Sequence, residues 1–487
     1  MIFNDLRDFI DEVERMGELK KIEGADWNLE IGGITEIVAL SDNPVALLFD
    51  KIKGYPAGYR VATNLFANQR RQALALGLPI EAKGIELVDA WRKKVREVEP
   101  IPPVWVDDGP VKENIYVGDE VNVLKFPSPK WHELDGGRYI GTGCVVITRD
   151  PDEGWVNLGV YRAQVYDKET IGFHAIPGRH AEVMRQKYWA RGLSCPVAIA
   201  LGQEPLLYAA ACNPVPWGVS EYDYAGGLKG EPIKVVRGVY TDLPIPATAE
   251  IVLEGESPPP SVESRPEGPF GEWSGYYAGL PHPKPVIKVK AILHRDNPIL
   301  QGNPPLKPPA QGHSLGSSLT TAAFIWNSLE SHIPNVKGVW IPPEVSPSRA
   351  LVTVVSIKQS YPGHAKQAGL LAMGCLAGYS YNRYVIVVDD DIDPSNLGEV
   401  AWAVATRSDP STDIQVITEG LSGPADPLIH PERKEKGYYR DLTTSKAIIN
   451  ACKPYSWMDK FPPTNRVSPE LAKKIIEKWG RILGIKP

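Results

Sequence analysis

The hydrophobic period of the chain changes sharply near residue 320, and that change bounds the fold. From about 116 to 320 the apolar segments are short or alternating, as strands are: YIGTGCVVITRD, VNLGVYRAQVY, PVAIALG, AEIVLEG and VIKVKAILH. Turn residues separate them and few long helical patterns intervene, so a β-barrel or sandwich is expected. Beyond 320, helix-type segments (TTAAFIWNSLESH, HAKQAGLLAMGCL, NLGEVAWAVATR) alternate with strand-type ones (VKGVWI, LVTVVSIK, RYVIVVDDD). That order implies an α/β layer. The first 115 residues mix helix and short strand, with VALLFD a buried strand and NQRRQALALGL a helix. The expected division is 1–115, 116–320, 321–460 and a terminal helix within 461–487. A chain of 487 residues is too long for one core, in keeping with about two or three domains. Its 46 prolines, roughly twice the average share, cluster in EPIPPVW, GESPPPSVESRPEGPFGE, AGLPHPKP and GNPPLKPP, where they read as fixed turns.

Both ends read as amphipathic helices. Leu6, Phe9, Ile10 and Val13 fall at helical spacing, with Asn4 or Asp5 as cap and Gly17 as stop. SPELAKKIIEKWGRIL has Ser468 as cap, and such a terminal helix often docks on a partner subunit. The charged N-terminus lacks the apolar region of a secretory signal, and no apolar run reaches the roughly 18 residues of a membrane span. Five dispersed cysteines without a CxxC pair point to a reduced, cytoplasmic protein. A net charge of −6 with no basic stripe excludes a nucleic-acid footprint.

Four constellations offer chemistry. In RPEGPFGE, Glu267 and Glu272 lie five residues apart in a Pro/Gly frame. They read either as a rigid turn with solvated acids or as a catalytic pair whose pKa values are pushed apart, one acid carrying a proton for general acid work. In WVNLGVYRAQVY, strand alternation places Asn157, Gly159 and Tyr161 on one side and Leu158, Val160 and Arg162 on the other. Arg162 then either bends out to solvent or sits half-buried and needs carboxylate partners. Asn157, His180 of GRHAE and Glu221 of SEYDYAGG, spaced by 23 and 41 residues, are each plausible structural residues. Together they make a mixed oxygen and nitrogen set suited to Mn²⁺ or Mg²⁺. The acids of VVDDDIDP read as a solvated strand end leading to a helix cap, or as a Mg²⁺ site at Asp389 to Asp391 for phosphoryl transfer. No Walker loop or GxGxxG fingerprint accompanies them.

Taken in order, the blocks DLRDFIDEVERMGELKKI, TNLFANQRRQALALG, DGGRYIGTGCVVITRD, NLGVYRAQ, PGRHAE, PVAIALG, SEYDYAGGL, PATAEIVLEG, PEGPFGEWSGYY, SIKQSYPGHAKQAG, YVIVVDDDIDP and WAVATRSDP resemble the UbiD family of reversible decarboxylases, which use prenylated FMN. The resemblance runs along most of the chain. It implies an α/β (α+β) fold: a central flavin-binding split β-barrel, an N-terminal α/β segment, and a C-terminal α/β oligomerisation domain with its terminal helix.

It also implies site residues. Arg162, Glu267 and Glu272 match the family's catalytic network, with Glu272 as proton donor. Asn157, His180 and Glu221 match ligands of a divalent metal, Mn²⁺ or Mg²⁺, which ties the cofactor phosphate to the protein, with K⁺ nearby. Arg162, Gln164, Arg179, Asn213 and Pro214 join them as cofactor-binding positions. The implied reaction is non-oxidative decarboxylation of an aromatic, heteroaromatic or α,β-unsaturated acid through a covalent substrate adduct with prenylated FMN. Its direction follows CO₂ concentration and the fate of the product. WHELDGGRYI and the 421–445 segment resemble the aromatic-acid branches. Leu306, Lys307, Asn382 and His430 are the candidate substrate residues. Implied partners are the carboxylic acid and CO₂, a flavin prenyltransferase as cofactor supplier, and copies of the chain in a homodimer or homohexamer. The alternative reading, a non-catalytic flavin-binding subunit of a larger carboxylase, leaves the intact Arg162, Glu267 and Glu272 without a purpose.

Overall fold

The structure, a computed structural model, describes residues 2–213, 215–279, 281–310, 318–345, 349–436 and 442–485. Pro214 lies outside the described residues. The first helix is Leu6–Arg15; the Asp5 carboxylate accepts from the Asp8 amide, and Leu6, Phe9, Ile10 and Val13 are buried, as the spacing predicts. Beside it lies a four-stranded sheet of Leu19–Glu23, Ala46–Asp50, Arg60–Thr63 and Ile299–Gln301. The last strand arrives from far along the chain and pairs parallel to Arg60–Ala62. It therefore anchors the start of the 303–310 segment to the N-terminal sheet.

Ten strands form the central sheet, which curls into a half-barrel. Its hub is the thirteen-residue strand His282–His294. That strand pairs antiparallel with Asn114–Val117, Thr170–Gly172, Ile251–Ser257 and Ser264–Glu267. The pairing of Glu267 with His282 ends one ladder, so the PEGPFGE loop leaves from the sheet rim.

Three helices lie within this strand-dominated region: His180–Trp189, Pro205–Cys212 and Glu221–Lys229. Their sequences hide them for physical reasons. Pro205–Cys212 (PLLYAAAC) is buried along seven of its eight residues, so no amphipathic period exists. Glu221–Lys229 contains Gly226 and Gly227, whose Cα atoms lie against the backbone of Ile101 and Glu99.

The C-terminal sheet has the order Val336–Trp340, Val352–Ile357, Tyr384–Asp389, Thr443–Ala451, Ile414–Leu421. Its central pairs are parallel and its outer pairs antiparallel. The predicted helices flank it as Ser318–Glu330, His364–Gly374 and Leu397–Arg407. Its last two strands carry mixed polar and apolar residues and escape a search for apolar runs. VVDDDIDP leaves Asp390, Asp391 and Asp393 exposed, as a solvated strand end would, but its first acid, Asp389, is buried in an ion network. Arg407, with its side chain 1% exposed, bridges Asp389 and Asp391; Gln359 and the Lys453 amide satisfy Asp389, and the Lys453 ammonium holds Asp391. The helix cap to which it leads is Asn396. The terminal helix Pro469–Leu483 starts on Ser468, as expected, and buries only Gly480.

Candidate active site

The segment expected to be one strand is two. Val156–Gly159 pairs with Cys144–Arg149, whereas Ala163–Val165 pairs with Arg138–Gly141 and Thr170–Gly172. The break at Val160–Arg162 cancels the predicted alternation of faces. A side chain at Gly159 would run into the Tyr161 ring, so these two neighbours of the break share one space. Arg162 joins His174 in an isolated bridge and turns toward the PEGPFGE loop, with its side chain 16% exposed.

There Arg162 meets both acids. Nε and Nη2 donate to the two Glu267 oxygens at 2.7 and 2.8 Å, and Nη1 donates to Glu272 Oε1 at 2.5 Å. This is a bidentate clamp plus a single tether. The Phe270 ring lies 4.8 Å from the guanidinium carbon. Burial alone would raise the Glu267 carboxyl. The Arg162 charge and hydrogen bonds outweigh burial, and with Tyr139 they bring it down to about 2. Burial, and then Arg162, hold neighbouring His174 well below its ordinary value, so it faces Glu267 as a neutral ring.

The loop is stiffened from the barrel side. Gln164 Oε1 accepts from the Gly268 amide at 3.1 Å, Asp135 accepts from Gly271, and the Gly136 amide donates to Pro269. Gly268 has φ 91°, where a side chain would be strained, and a Cβ on Gly136 would collide with the Gly268 carbonyl. The stretch HELDGG thus exists to seat PEGPFGE. Gln164, expected at the cofactor, spends its carbonyl oxygen on this loop.

The C-terminal part of the chain supplies residues that motif reading missed. Tyr381 packs edge-on against Trp273 at 5.0 Å, Ser274 Oγ donates to the Ala425 carbonyl, and Lys434 Nζ donates to the Ala278 carbonyl at 2.6 Å. Arg349 lies partly buried nearby. Burial, and then Arg179, push its guanidinium down to about 10, while Tyr381, Cys212 and Glu272 act in the opposite sense.

Asn157 and Glu221 come together. Glu221 Oε2 accepts from the Leu158 amide at 2.7 Å, next to buried Asn157, and burial pushes Glu221 up to about 8. His180 and Glu221 are each the first residue of their helix. His180 is flanked by Trp155 and Trp217 at 5.5 and 5.3 Å. Arg179 is the exposed N-cap of the helix His180–Trp189. Asn213 is buried beside Tyr224 with no well-formed hydrogen bond to its amide. Among the described residues no group of three His, Cys, Asp or Glu side chains could hold a metal. The predicted set contains only two of those types plus an amide. A buried carboxyl driven toward protonation, an adjacent amide oxygen and an imidazole fit a hard divalent cation, which would return Glu221 to its charged form.

The substrate candidates fare differently. Leu306 is buried in a small cluster with Ala39 and Ala310, a packing residue. Lys307 is exposed, but its stem lies behind Gly275, just after the PEGPFGE loop. Asn382 is fully buried and accepts from Thr353 Oγ1, beneath the C-terminal sheet. His430 is exposed and accepts from the Glu432 amide at the start of helix Pro431–Lys436. The neighbours Tyr381 and Lys434 face the loop in their place. Left-handed Tyr381 (φ 61°) reverses the chain and turns Asn382 away.

Comparison with known proteins identifies the family. Three UbiD family profiles match in chain order: the 3-octaprenyl-4-hydroxybenzoate carboxy-lyase N-terminal domain at 10–91, the Rift-related domain at 104–308 and the C-terminal domain at 314–451. A pyrrole-2-carboxylic acid decarboxylase of Pseudomonas aeruginosa is 33% identical, covering 98% of this chain and 97% of that protein. A phenolic acid decarboxylase of Bacillus subtilis is 32% identical, covering 92% and 94%. The open form of vanillic acid decarboxylase from Sedimentibacter hydroxybenzoicus superposes with a TM-score of 0.83 at 30% identity, covering 99% of both chains. A UbiD-class enzyme of Pelotomaculum thermopropionicum in complex with FMN gives 0.83 at 30% identity over 96% and 98% of the chains, and an evolved dimeric form of it in complex with prFMN gives 0.80 at 29% over 97% and 98%. Three matching domains, full-length relatives and a shared half-barrel lead to one conclusion: this chain belongs to the UbiD family of carboxy-lyases.

Proposed function

We propose that this protein carries out the reversible, non-oxidative decarboxylation of an aromatic, heteroaromatic or α,β-unsaturated acid with prenylated FMN bound against the half-barrel. The observation that carries the reading is Arg162 clamped to Glu267 and tethered to Glu272 in a buried site. An ion network that only stabilised the fold would gain nothing from unequal attachment. The relatives named above act on pyrrole-2-carboxylic and phenolic acids, and two structural neighbours hold FMN or prFMN. Those names support an aromatic or heteroaromatic substrate.

When bound, prenylated FMN supplies an electron sink, by a covalent bond to the substrate, for the electron pair left when CO₂ departs. The chain does the rest. Arg162 stays charged between two acids and orients the substrate carboxylate. Glu267 stays ionised and fixes Arg162. Glu272 has one oxygen on Arg162 and the other without a hydrogen bond to a described residue, so it can deliver a proton to the vacated carbon. Asn157, His180 and Glu221 would hold Mn²⁺ or Mg²⁺. Arg179 and Arg349 flank a place for the cofactor phosphate, and the Asn213–Trp217 stretch would line the K⁺ side.

Self-association is part of the proposal. The terminal helix leaves Leu471, Ile475, Trp479 and Ile482 exposed along one stripe, which a second copy would cover. Among the described residues no helix is long and apolar enough to cross a membrane. The five cysteines are unpaired, which supports a reduced cytoplasmic setting.

The test is co-production with a flavin prenyltransferase, dark anaerobic handling, native mass spectrometry and a visible absorbance scan. One prenylated FMN and one divalent metal per subunit, with CO₂ release from a panel of aromatic and acrylic acids, is the expected result. A folded protein that takes up no flavin on reconstitution refutes the reading.

A further inference from the structure

The two halves of the catalytic loop are held by different parts of the chain. Before Glu272, the ties come from the barrel side: Gln164 on Gly268, Gly136 on Pro269, Asp135 on Gly271. Glu272 then closes a turn, its amide donating to the Tyr276 carbonyl at 3.0 Å and its carbonyl accepting from Gly275 at 2.9 Å. Beyond it, Tyr277 leans on Leu134 and Asp135. The Trp273 ring, the Ser274 hydroxyl and the Ala278 carbonyl meet Tyr381, Ala425 and Lys434.

The C-terminal contacts are themselves built rigidly. Asp426 is 1% exposed and accepts from Ser422 Oγ at 2.5 Å, Arg383 Nη2 at 2.5 Å and the Leu428 amide at 2.9 Å, which fixes the 422–428 loop. Tyr381 is held at φ 61°, a costly conformation for a bulky residue that persists only where the surroundings enforce it. Its hydroxyl reaches Gly423, where any side chain would collide with it. Lys434 projects from the short helix Pro431–Lys436. Burial lowers its ordinary value, while Asp426 and Glu272 act to raise it, so the ammonium lies within the field of the proton donor.

We infer that Tyr381 and Lys434 are positioning residues, which grip the turn after Glu272 so that the carboxyl stays on Arg162 at the reacting carbon. The inference rests on the reading of Glu272 as proton donor, and neither residue is asked to touch substrate. Placement of a proton donor within a few tenths of an ångström governs rate more than binding.

Hydrogen exchange of the full-length flavin-loaded protein, read by mass spectrometry on peptides spanning 268–279, tests the grip directly. Lys434→Met and Tyr381→Leu are expected to speed exchange of the Glu272 and Gly275 amides about tenfold or more, leaving peptides of the barrel sheet unchanged. Lys434→Arg and Tyr381→Phe restore protection. In turnover, the first pair lowers kcat by about tenfold with KM and the flavin spectrum unaltered. Unchanged exchange in both Lys434→Met and Tyr381→Leu overturns the inference. Faster exchange in a protein whose wild type releases no CO₂ from any acid of the panel supports the grip and refutes the decarboxylase reading, so the two failures are told apart.

Discussion

Arg162 binds Glu267 through two nitrogens at 2.7 and 2.8 Å, closing the most buried ion pair of the site. Glu267 falls from its ordinary value to about 2 against the effect of burial. Its contribution is complete above the unfolded value of about 4.3 and is lost as pH falls through about 2. At neutral pH, Glu267→Gln is expected to cost roughly 3 kcal/mol, because a buried guanidinium loses the bidentate one of its two charge partners. In urea unfolding, the gap between wild type and Glu267→Gln should narrow as pH drops from about 4.5 toward 2. A gap that stays constant over that window contradicts the assignment.

Glu272 is held by a single bond, so replacing its acid with an amide should spare the architecture. Glu272→Gln is expected to lower turnover by about 10² to 10⁴ fold and to retain the flavin absorbance of the wild type. Loss of the flavin spectrum in that variant would reassign Glu272 to a structural role.

Among the described residues no cationic side chain pairs with buried Glu221, and a divalent ion is expected to fill that role. Added Mn²⁺ should raise the thermal midpoint of the metal-stripped wild type by mass action, and Glu221→Ala should erase the rise. An equal rise in the variant would remove Asn157, His180 and Glu221 as the ligand set.

Arg407 offers a control outside the site. It bridges Asp389 and Asp391 in the C-terminal sheet. Arg407→Met should destabilise the protein by roughly 3–5 kcal/mol, as measured by the urea midpoint, while flavin content per folded chain stays constant. A variant that stays as stable as wild type but loses metal would revive the reading of these acids as a Mg²⁺ site.

Local pattern by itself determined a good deal of this protein. The helices Leu6–Arg15 and Pro469–Leu483 appear where apolar spacing and the caps Asp5 and Ser468 predict them, since capping and amphipathicity act within a few residues. The strands of the barrel and the alternation after 320 follow from period for the same reason. Ordered motif blocks named the family and so joined Arg162 to Glu267, two residues 105 positions apart that no local rule connects.

Tertiary structure decided the rest. The strand carrying Arg162 breaks at Val160–Arg162 because its two halves pair with different neighbours, and alternation cannot foresee a change of partner. The helix PLLYAAAC has no polar face to betray it. Asn382 and His430 sit one and four residues from the side chains that reach the segment after Glu272, Tyr381 and Lys434. A left-handed turn and a helix start set which neighbour points inward. Backbone direction at such points depends on long-range packing, and side-chain identity alone carries no record of it.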